Sequence, residues 1–217
     1  DAIAWSYDLL QAGEQAAFRR LSVCAGGVTL DAAEAVAMPS PGSGAATSVG
    51  TLDSMTVLVD ASLLRSDREQ GDEPRFVMLE TIREFGLEQL RACGEAAEAA
   101  ERHAHYFLRL AEAAAASQRG SGQVAHLAAL EVEQENLRTA LGWAVAAPDR
   151  ADLALRLADA LFWYWYLRGH FSEGRHWLET ALATSPGEPS PLMARALCSA
   201  SVLAYRDKRP MTQLPGR

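Results

Sequence analysis

One short segment, residues 62–79, constrains the fold most strongly, because its apolar residues do not follow the helical spacing seen in the rest of the chain. Two short apolar runs, Ser62 to Ser66 and Arg75 to Leu79, flank a charged turn from Asp67 to Pro74. Two such runs around a polar tip predict a β-hairpin. The rest of the chain has helical spacing of its apolar residues, so we predict a mainly α-helical protein with a single small hairpin.

The helices around this hairpin complete a recognisable plan. We predict them at Ile3–Leu10, Glu14–Val23, Asp31–Ala37, Thr51–Ala61 and Glu80–Cys93. Gly26 and Gly27 end the second helix and Gly94 ends the last, because glycine accepts the left-handed conformation common at a helix terminus. Helices followed by a hairpin form a winged helix, which we place at residues 1–93.

Residues 94–217 carry only helical patterns. The predicted helices are Glu95–Ser117, Gln123–Ala147, Ala151–Arg168, Ser172–Thr184 and Leu192–Tyr205. Short connections make neighbouring helices antiparallel. We therefore predict an antiparallel α-helical array in this second domain, with an irregular tail over residues 206–217.

The array contains one segment with tetratricopeptide-like spacing. A first helix would carry its large residues at Leu161 and Trp165, and a second would carry a small-large-small series. That series is Gly174, Leu178 and Ala181, with Pro186 ending the helix. Small residues let paired helices approach closely, so we predict that the array grades into tetratricopeptide-like hairpins.

The charge pattern argues against nucleic acid as a partner. The net charge is -8, and Lys208 is the only lysine. The recognition helix of a winged helix would be Thr51–Ala61, which offers Asp53 and Asp60 but no arginine or lysine. Phosphate contacts need clustered cations, so we do not expect direct DNA binding. The alternative is a DNA-binding winged-helix regulator.

Catalytic and metal-binding patterns are missing from the sequence. No G-x-x-x-x-G-K-[ST] loop or G-x-S-x-G elbow occurs, and no pair of histidines has metal-ligand spacing with a third ligand. Glu131, Glu133 and Glu135 fit a solvated helix face better than an acid/base pair. We predict a protein that is not an enzyme, with no catalytic residue, no metal site and no cofactor of its own.

The cysteines and the hydropathy pattern bear on location. The three cysteines are far apart and lack C-x-x-C spacing, which fits a reducing cytosol. No run of eighteen apolar residues occurs, so we predict a cytoplasmic protein without a membrane partner.

A dense aromatic run occupies one predicted helix. Five successive aromatic residues, 162–166, must point all round a helix. One interpretation places them all in the core or between repeats. The other places some of them in a concave groove for a partner. The candidate contacts in that groove are Trp163, Tyr166, Arg168 and His170.

Several stretches resemble the winged-helix and helical regions of STAND-type, NB-ARC-like signal-transduction ATPases. This family includes LuxR-type and antibiotic-regulator-type transcription factors. The matching stretches are A-I-A-W-S-Y-D-L-L at Ala2, F-R-R-L-S-V at Phe18, V-D-A-S-L-L at Val59, M-L-E-T-I-R-E-F at Met78, E-N-L-R-T-A-L at Glu135 and R-G-H-F-S-E-G-R-H-W-L at Arg168.

The resemblance implies a role and two partners. Such a fragment would be non-catalytic, and it would couple effector sensing to an upstream nucleotide-binding domain that holds ATP or ADP. The effector, a protein or a small molecule, would bind the helical repeats. The family's Met-His-Asp nucleotide-sensor motif falls on Met78, Leu79 and Glu80. Leucine has no donor for a phosphate, and the alternative is that Leu79 packs inside the hairpin–helix junction.

Overall fold

The computed structural model describes residues 2–37, 50–67, 74–117, 122–185 and 189–208. These residues belong to two compact units, 1–106 and 107–217. Residues 38–49, the hairpin tip at 68–73, the predicted helix end at Pro186 and the tail from 209 onward lie outside the described residues.

The first unit has the predicted order of helices and strands. The elements are α1 (Ala2–Asp8), α2 (Ala12–Leu21), α3 (Leu30–Ala37), α4 (Thr51–Asp60), β1 (Arg65–Asp67), β2 (Arg75–Val77) and α5 (Glu80–Ala92). Helix α2 is central, since it packs against α3, α4 and α5. Its Phe18 is fully buried, and the ring lies 5.5 Å from that of Tyr7 and 6.3 Å from that of Phe85.

The hairpin is shorter than predicted, and its first strand begins later. Strands β1 and β2 pair antiparallel, with Ser66 opposite Phe76. The predicted first strand included Leu63 and Leu64, but their backbone N–H groups donate to the Leu58 carbonyl oxygen at 2.9 and 3.1 Å. These bonds close the end of α4, so the two leucines fill the core and do not pair with β2.

An isolated antiparallel β-bridge joins the hairpin to the segment between α2 and α3. Val28 and Phe76 exchange backbone hydrogen bonds of 2.8 and 2.9 Å. Gly27, just before, has φ of +95°, and a Cβ there would lie 3.0 Å from the Phe76 carbonyl oxygen. Arg75 is buried and donates to the Gly26 and Gly27 carbonyl oxygens. The glycines therefore let one backbone pass close to the hairpin.

Glu95 ties α2 to the segment that follows α5. Its carboxylate accepts from Arg19 at 2.8 Å and from Arg20 at 3.0 Å. Burial raises the pKa of Glu95, but the hydrogen bonds and charges of the two arginines outweigh burial, so the net pKa lies below its ordinary value of 4.5. Arg19 also donates to the Tyr7 hydroxyl at 2.7 Å, which links α1 to this cluster.

The remaining elements are all helical. They are α6 (Ala96–Ala116), α7 (Gln123–Val132), α8 (Gln134–Val145), a short 3-10 helix (Pro148–Arg150), α9 (Ala151–Arg168), α10 (Phe171–Thr184) and α11 (Pro191–Asp207). The division of the chain into two units falls within α6, after residue 106. Helices α9, α10 and α11 pack on one another, and α8 packs on α9 and α10.

The predicted single helix over Gln123–Ala147 is two helices that meet at Glu133. Glu133 is buried, whereas the sequence suggested a solvated glutamate face. Its carboxylate accepts from the fully buried Asn136 amide at 2.7 Å. A buried carboxylate needs hydrogen-bond partners, and this local pair coincides with the break. Glu131 and Glu135 are exposed, as expected.

The directions of α9, α10 and α11 follow from their contacts. Gly174, near the start of α10, lies against Trp165 near the end of α9 and Leu203 near the end of α11. Helix α10 is therefore antiparallel to both neighbours. Helices α9 and α11 run the same way, with Arg206 of α11 over the Tyr166 ring of α9.

The predicted fold class is confirmed in its main terms. The chain is mostly helical, with a winged helix, a two-stranded hairpin and further helices. Buried Gly174, Leu178 and Ala181 form the face of α10 that we expected from the small-large-small series. The domain boundary after residue 93 stays a prediction.

We expect Gly174→Ala to lower the free energy of unfolding by about 1–3 kcal/mol, because an added Cβ would lie 2.7 Å from the Trp165 ring. Gly142→Ala in α8 is the matched control. A Cβ there meets only Trp177, at an ordinary 3.9 Å, so we expect a gain of up to about 1 kcal/mol from helix propensity. Urea denaturation of both variants measures the difference, and equal effects would contradict the close approach at Gly174.

We expect Glu95→Gln to lower the free energy of unfolding at pH 7 by about 1–3 kcal/mol, because Arg19 keeps its partly buried charge without a carboxylate partner. The lowered folded pKa stabilises the native state above about pH 4.5, and this stabilisation is lost as pH falls through the folded value. The variant should therefore lose less stability than the parent between pH 5 and about pH 3. Denaturation curves across that range check this, with Glu98→Gln, in an exposed i,i+4 pair, as control.

Candidate nucleic-acid interface and helical groove

Helix α4 occupies the recognition position of the winged helix. It follows α3, packs on α2 and α3 through Met55 and Leu58, and leads directly into the hairpin. Thr56 lies at the centre of its exposed face. Its hydroxyl donates to the Leu52 carbonyl oxygen at 2.9 Å, so the proton is used within the helix and the methyl group is available to a partner.

The exposed face of α4 has two different edges. Leu52, with 55% of its surface exposed, lies on the apolar edge. Asp53 and Asp60 are exposed on the other edge. This face carries no cation, as predicted, so any contact it makes with a base uses methyl groups or carboxylates.

Most arginines of the first unit are engaged in internal contacts. Arg19 and Arg20 bind Glu95, and Arg83 binds Glu80 and the Ser22 carbonyl oxygen. Within residues 2–37, 50–67 and 74–106, the exposed arginines without an ion pair are Arg65 on β1 and Arg91 on α5. Arg65 is therefore the described cation on the hairpin that can face a phosphate.

The predicted nucleotide-sensor residues lie at the start of α5. Met78 packs partly against the core, and Leu79 precedes the first helical residue with 48% of its surface exposed. The alternative that Leu79 packs inside the junction is therefore wrong. The hydrogen bond from Arg83 lowers the pKa of Glu80, and burial opposes it weakly. None of the three side chains donates to an anion, and the nucleotide contact stays a prediction.

The aromatic run of α9 divides between core and surface. Tyr164 and Trp165 are buried at 2% exposure, while Trp163 is 42% exposed. Burial, aided by Glu131 and Glu173, raises the pKa of Tyr164 to about 12. The interpretation that packs all five residues is wrong, because successive residues on a helix point in different directions and Trp163 faces outward. The groove interpretation stays a prediction.

The four predicted groove residues form two separate groups. The Trp163 and Tyr166 rings lie 5.6 Å apart. Arg168 pairs with Glu131 of α7 at 2.8 Å, and His170 lies 3.9 Å from the same carboxylate. The structure therefore brings the members of each pair together but does not show one surface made of all four.

A cavity of about 780 Å³ lies between α6, α9 and α11, and we did not predict it. Its lining is mostly apolar and includes Trp163. Arg156 of α9 bridges to Glu112 of α6 at 2.8 Å, and Arg195 of α11 bridges to Asp159 of α9 at 2.9 Å. The sequence does indicate one wall, because residues 156, 159/160 and 163 are spaced to share one face of α9. It does not indicate that α6 and α11 supply the other two walls.

The part of the chain that the structure describes contains no cluster of three metal-ligating side chains. It also contains no helix long and apolar enough to span a membrane.

The comparisons with known proteins cover the first unit and extend into the second. Residues 10–91 match the family described as a winged helix-turn-helix domain. Proteins from Mycobacterium bovis and Mycobacterium tuberculosis, each named "Putative HTH-type transcriptional regulator", are 37% identical over 181 residues, which is 83% of this chain. The chain spans 20% of the length of these relatives. No solved structure matches.

These matches correct one prediction. We did not expect direct DNA binding, because the chain is acidic and α4 has no cation. The winged helix-turn-helix match and the relatives named as HTH-type transcriptional regulators point to DNA binding. The net charge of the whole chain did not predict DNA binding correctly. Base contacts depend on which helix enters the groove, and the net charge carries no information on that. The order of helices and strands over residues 10–91 is that of a winged helix.

Proposed function

We propose that this chain is the part of a transcriptional regulator that binds DNA through its winged helix. The observation that carries the proposal is the order α2, Val28 bridge, α3, α4 and hairpin over the matched residues 10–91. In helix-turn-helix proteins the second helix of the motif enters the major groove. Here that helix is α4, whose exposed face is centred on Thr56.

The chemistry of α4 restricts the bases it can read. The Thr56 methyl and Leu52 suit the thymine C5-methyl group, which is the apolar feature of the major groove. Asp53, in the first turn, can accept from the cytosine N4 amino group. Bidentate contacts to guanine need arginine or lysine, and α4 has neither. The expected site is therefore rich in thymine and cytosine on the strand that α4 faces.

Phosphate binding is expected to be modest. Arg65 on the hairpin offers one cation, and Asp60 repels the backbone of a duplex docked on α4. Each phosphate contact contributes a slope of about −0.9 to the dependence of log affinity on log salt. We expect a shallow slope of about −1 to −2, so discrimination depends on base contacts more than on charge.

The rest of the chain supports a finer proposal, that of a sensor within a larger protein. The alternation of direction in α9, α10 and α11, with small residues where they touch, supports a tetratricopeptide-like array within this proposal. The chain covers a fifth of its relatives, which leaves room for a nucleotide-binding domain that holds ATP or ADP. In this proposal the protein is a cytoplasmic STAND-type regulator, and this chain does no covalent chemistry.

We expect this chain to select thymine- and cytosine-rich sites from a pool of random 20-base-pair duplexes, and Arg65→Ala to weaken binding to the selected site. The loss should be similar for all sequences and should reduce the salt slope by about 1. Arg91→Ala removes the same charge from α5 and should leave both quantities unchanged. Fluorescence anisotropy over a salt series measures them. If no duplex is enriched, or if both variants bind like the parent, the proposed interface is wrong.

We expect Asp60→Asn to raise DNA affinity about threefold, because it removes a carboxylate that faces the phosphates. It should also raise the free energy of unfolding by about 0.3–1 kcal/mol, since a negative charge in the last turn of a helix opposes the helix dipole. Glu88→Gln, on the exposed side of α5, is the control for net charge. If both variants bind DNA equally well, α4 is not the helix that faces the duplex.

A further inference from the structure

We propose that the cavity between α6, α9 and α11 binds an uncharged, planar aromatic molecule with polar groups at its two ends. This inference rests on the proposed sensor role of the helical region and names the site and the chemical class of its effector. Every lining residue belongs to the second unit.

The depth of the cavity comes from small side chains on all three walls. Helix α6 contributes Ala115, α9 contributes Ala160, and α11 contributes Ala194, Cys198 and Ser199. Larger residues at these positions would fill the space between the helices. The volume of about 780 Å³ is within the range of sites that enclose drug-sized molecules.

An aromatic wall favours a flat ligand. The Phe162 and Trp163 rings lie 5.1 Å apart with their planes at 62°, and both line the cavity. Trp163 is 42% exposed, although burying an aromatic ring of this size is favourable. A planar ring that stacks on Trp163 would bury this surface and gain an aromatic contact.

The charges around the cavity cancel in pairs. Arg156 donates to Glu112 from two nitrogens, at 3.0 and 2.8 Å. Arg195 donates to Asp159 from two nitrogens, at 3.2 and 2.9 Å. A charged ligand would meet side chains whose charges are already paired, so it would lose hydration on binding without gaining a free counter-ion. The balance therefore favours a ligand without net charge.

Polar groups remain available at different points of the lining. The Ser199 hydroxyl and the Cys198 thiol lie on α11, and the guanidinium groups of Arg156 on α9 and Arg195 on α11 also belong to the lining. Hydroxyl groups at the two ends of an elongated ligand would pair with such donors and acceptors.

The test uses the whole chain and two stilbenes of similar shape. 4,4′-Dihydroxystilbene is uncharged at pH 7, and stilbene-4,4′-dicarboxylate is a dianion. We expect the uncharged compound to bind with a dissociation constant below about 1 mM, as its size allows, and the dianion at least tenfold more weakly. Equilibrium dialysis or isothermal titration calorimetry measures both.

Matched variants test whether the stilbene binds in this cavity. Ala194→Trp fills the cavity from an exposed position, and Trp163→Ala removes the stacking ring; each should weaken binding at least tenfold. Leu197→Trp places the same side chain at an exposed position of α11 outside the lining and should bind like the parent. Circular dichroism and thermal unfolding verify that each variant folds. A variant that does not fold is replaced by Cys198→Trp, at another exposed lining position.

Three results would overturn the proposal. They are no binding of the uncharged stilbene at 1 mM, tighter binding of the dianion, or equal binding by the parent and the folded cavity variants. The DNA measurements give a separate answer, because they depend on α4 and the hairpin. Failure of DNA binding with stilbene binding intact would reject only the regulator proposal, and the reverse would reject only this ligand class.

Discussion

Glycine, which has no Cβ, lets helices approach closely in each unit of this protein. In the first unit, Gly86 of α5 faces Ser22, and a Cβ there would lie 2.8 Å from the Ser22 Cβ. In the second, a Cβ at Gly174 of α10 would lie 2.7 Å from both the Trp165 ring and Leu203. Interiors are close-packed, so neither contact can widen without opening a void. Helix α5 then covers Phe18, and α10 is held between α9 and α11.

Arginine is used largely for internal structure. Arg75 holds the Gly26–Gly27 backbone, Arg19 and Arg20 converge on Glu95, and Arg138 of α8 binds both carboxylate oxygens of Glu173 in α10. The hydrogen bond from Arg138 is the main reason that the pKa of Glu173 lies below its ordinary value. A simple count of positive charges therefore overstates what is available to a phosphate. It also says little about α4, whose surface is apolar and acidic.

Our predictions from local spacing mostly agree with the structure, and the failures have a common cause. The helices of the first unit, the hairpin pairing and the buried face of α10 follow from apolar period and glycine positions. The break at Glu133, the exposure of Leu79 and the late start of β1 do not. In each, the outcome depends on particular contacts or their absence and not on the apolar period, as with the Leu63 and Leu64 N–H groups that donate to Leu58. Local spacing carries no information on those partners.

The amino-acid order alone settled that this chain is mainly helical, with one hairpin placed after a recognition-type helix, because periodicity and glycine positions are local properties. Tertiary structure decided which side chains remain for a partner. The cavity between α6, α9 and α11 needs walls from three helices far apart in the chain. Arg65 is available on the hairpin whereas Arg75 is buried, because only the folded backbone brings the glycine carbonyl oxygens to Arg75.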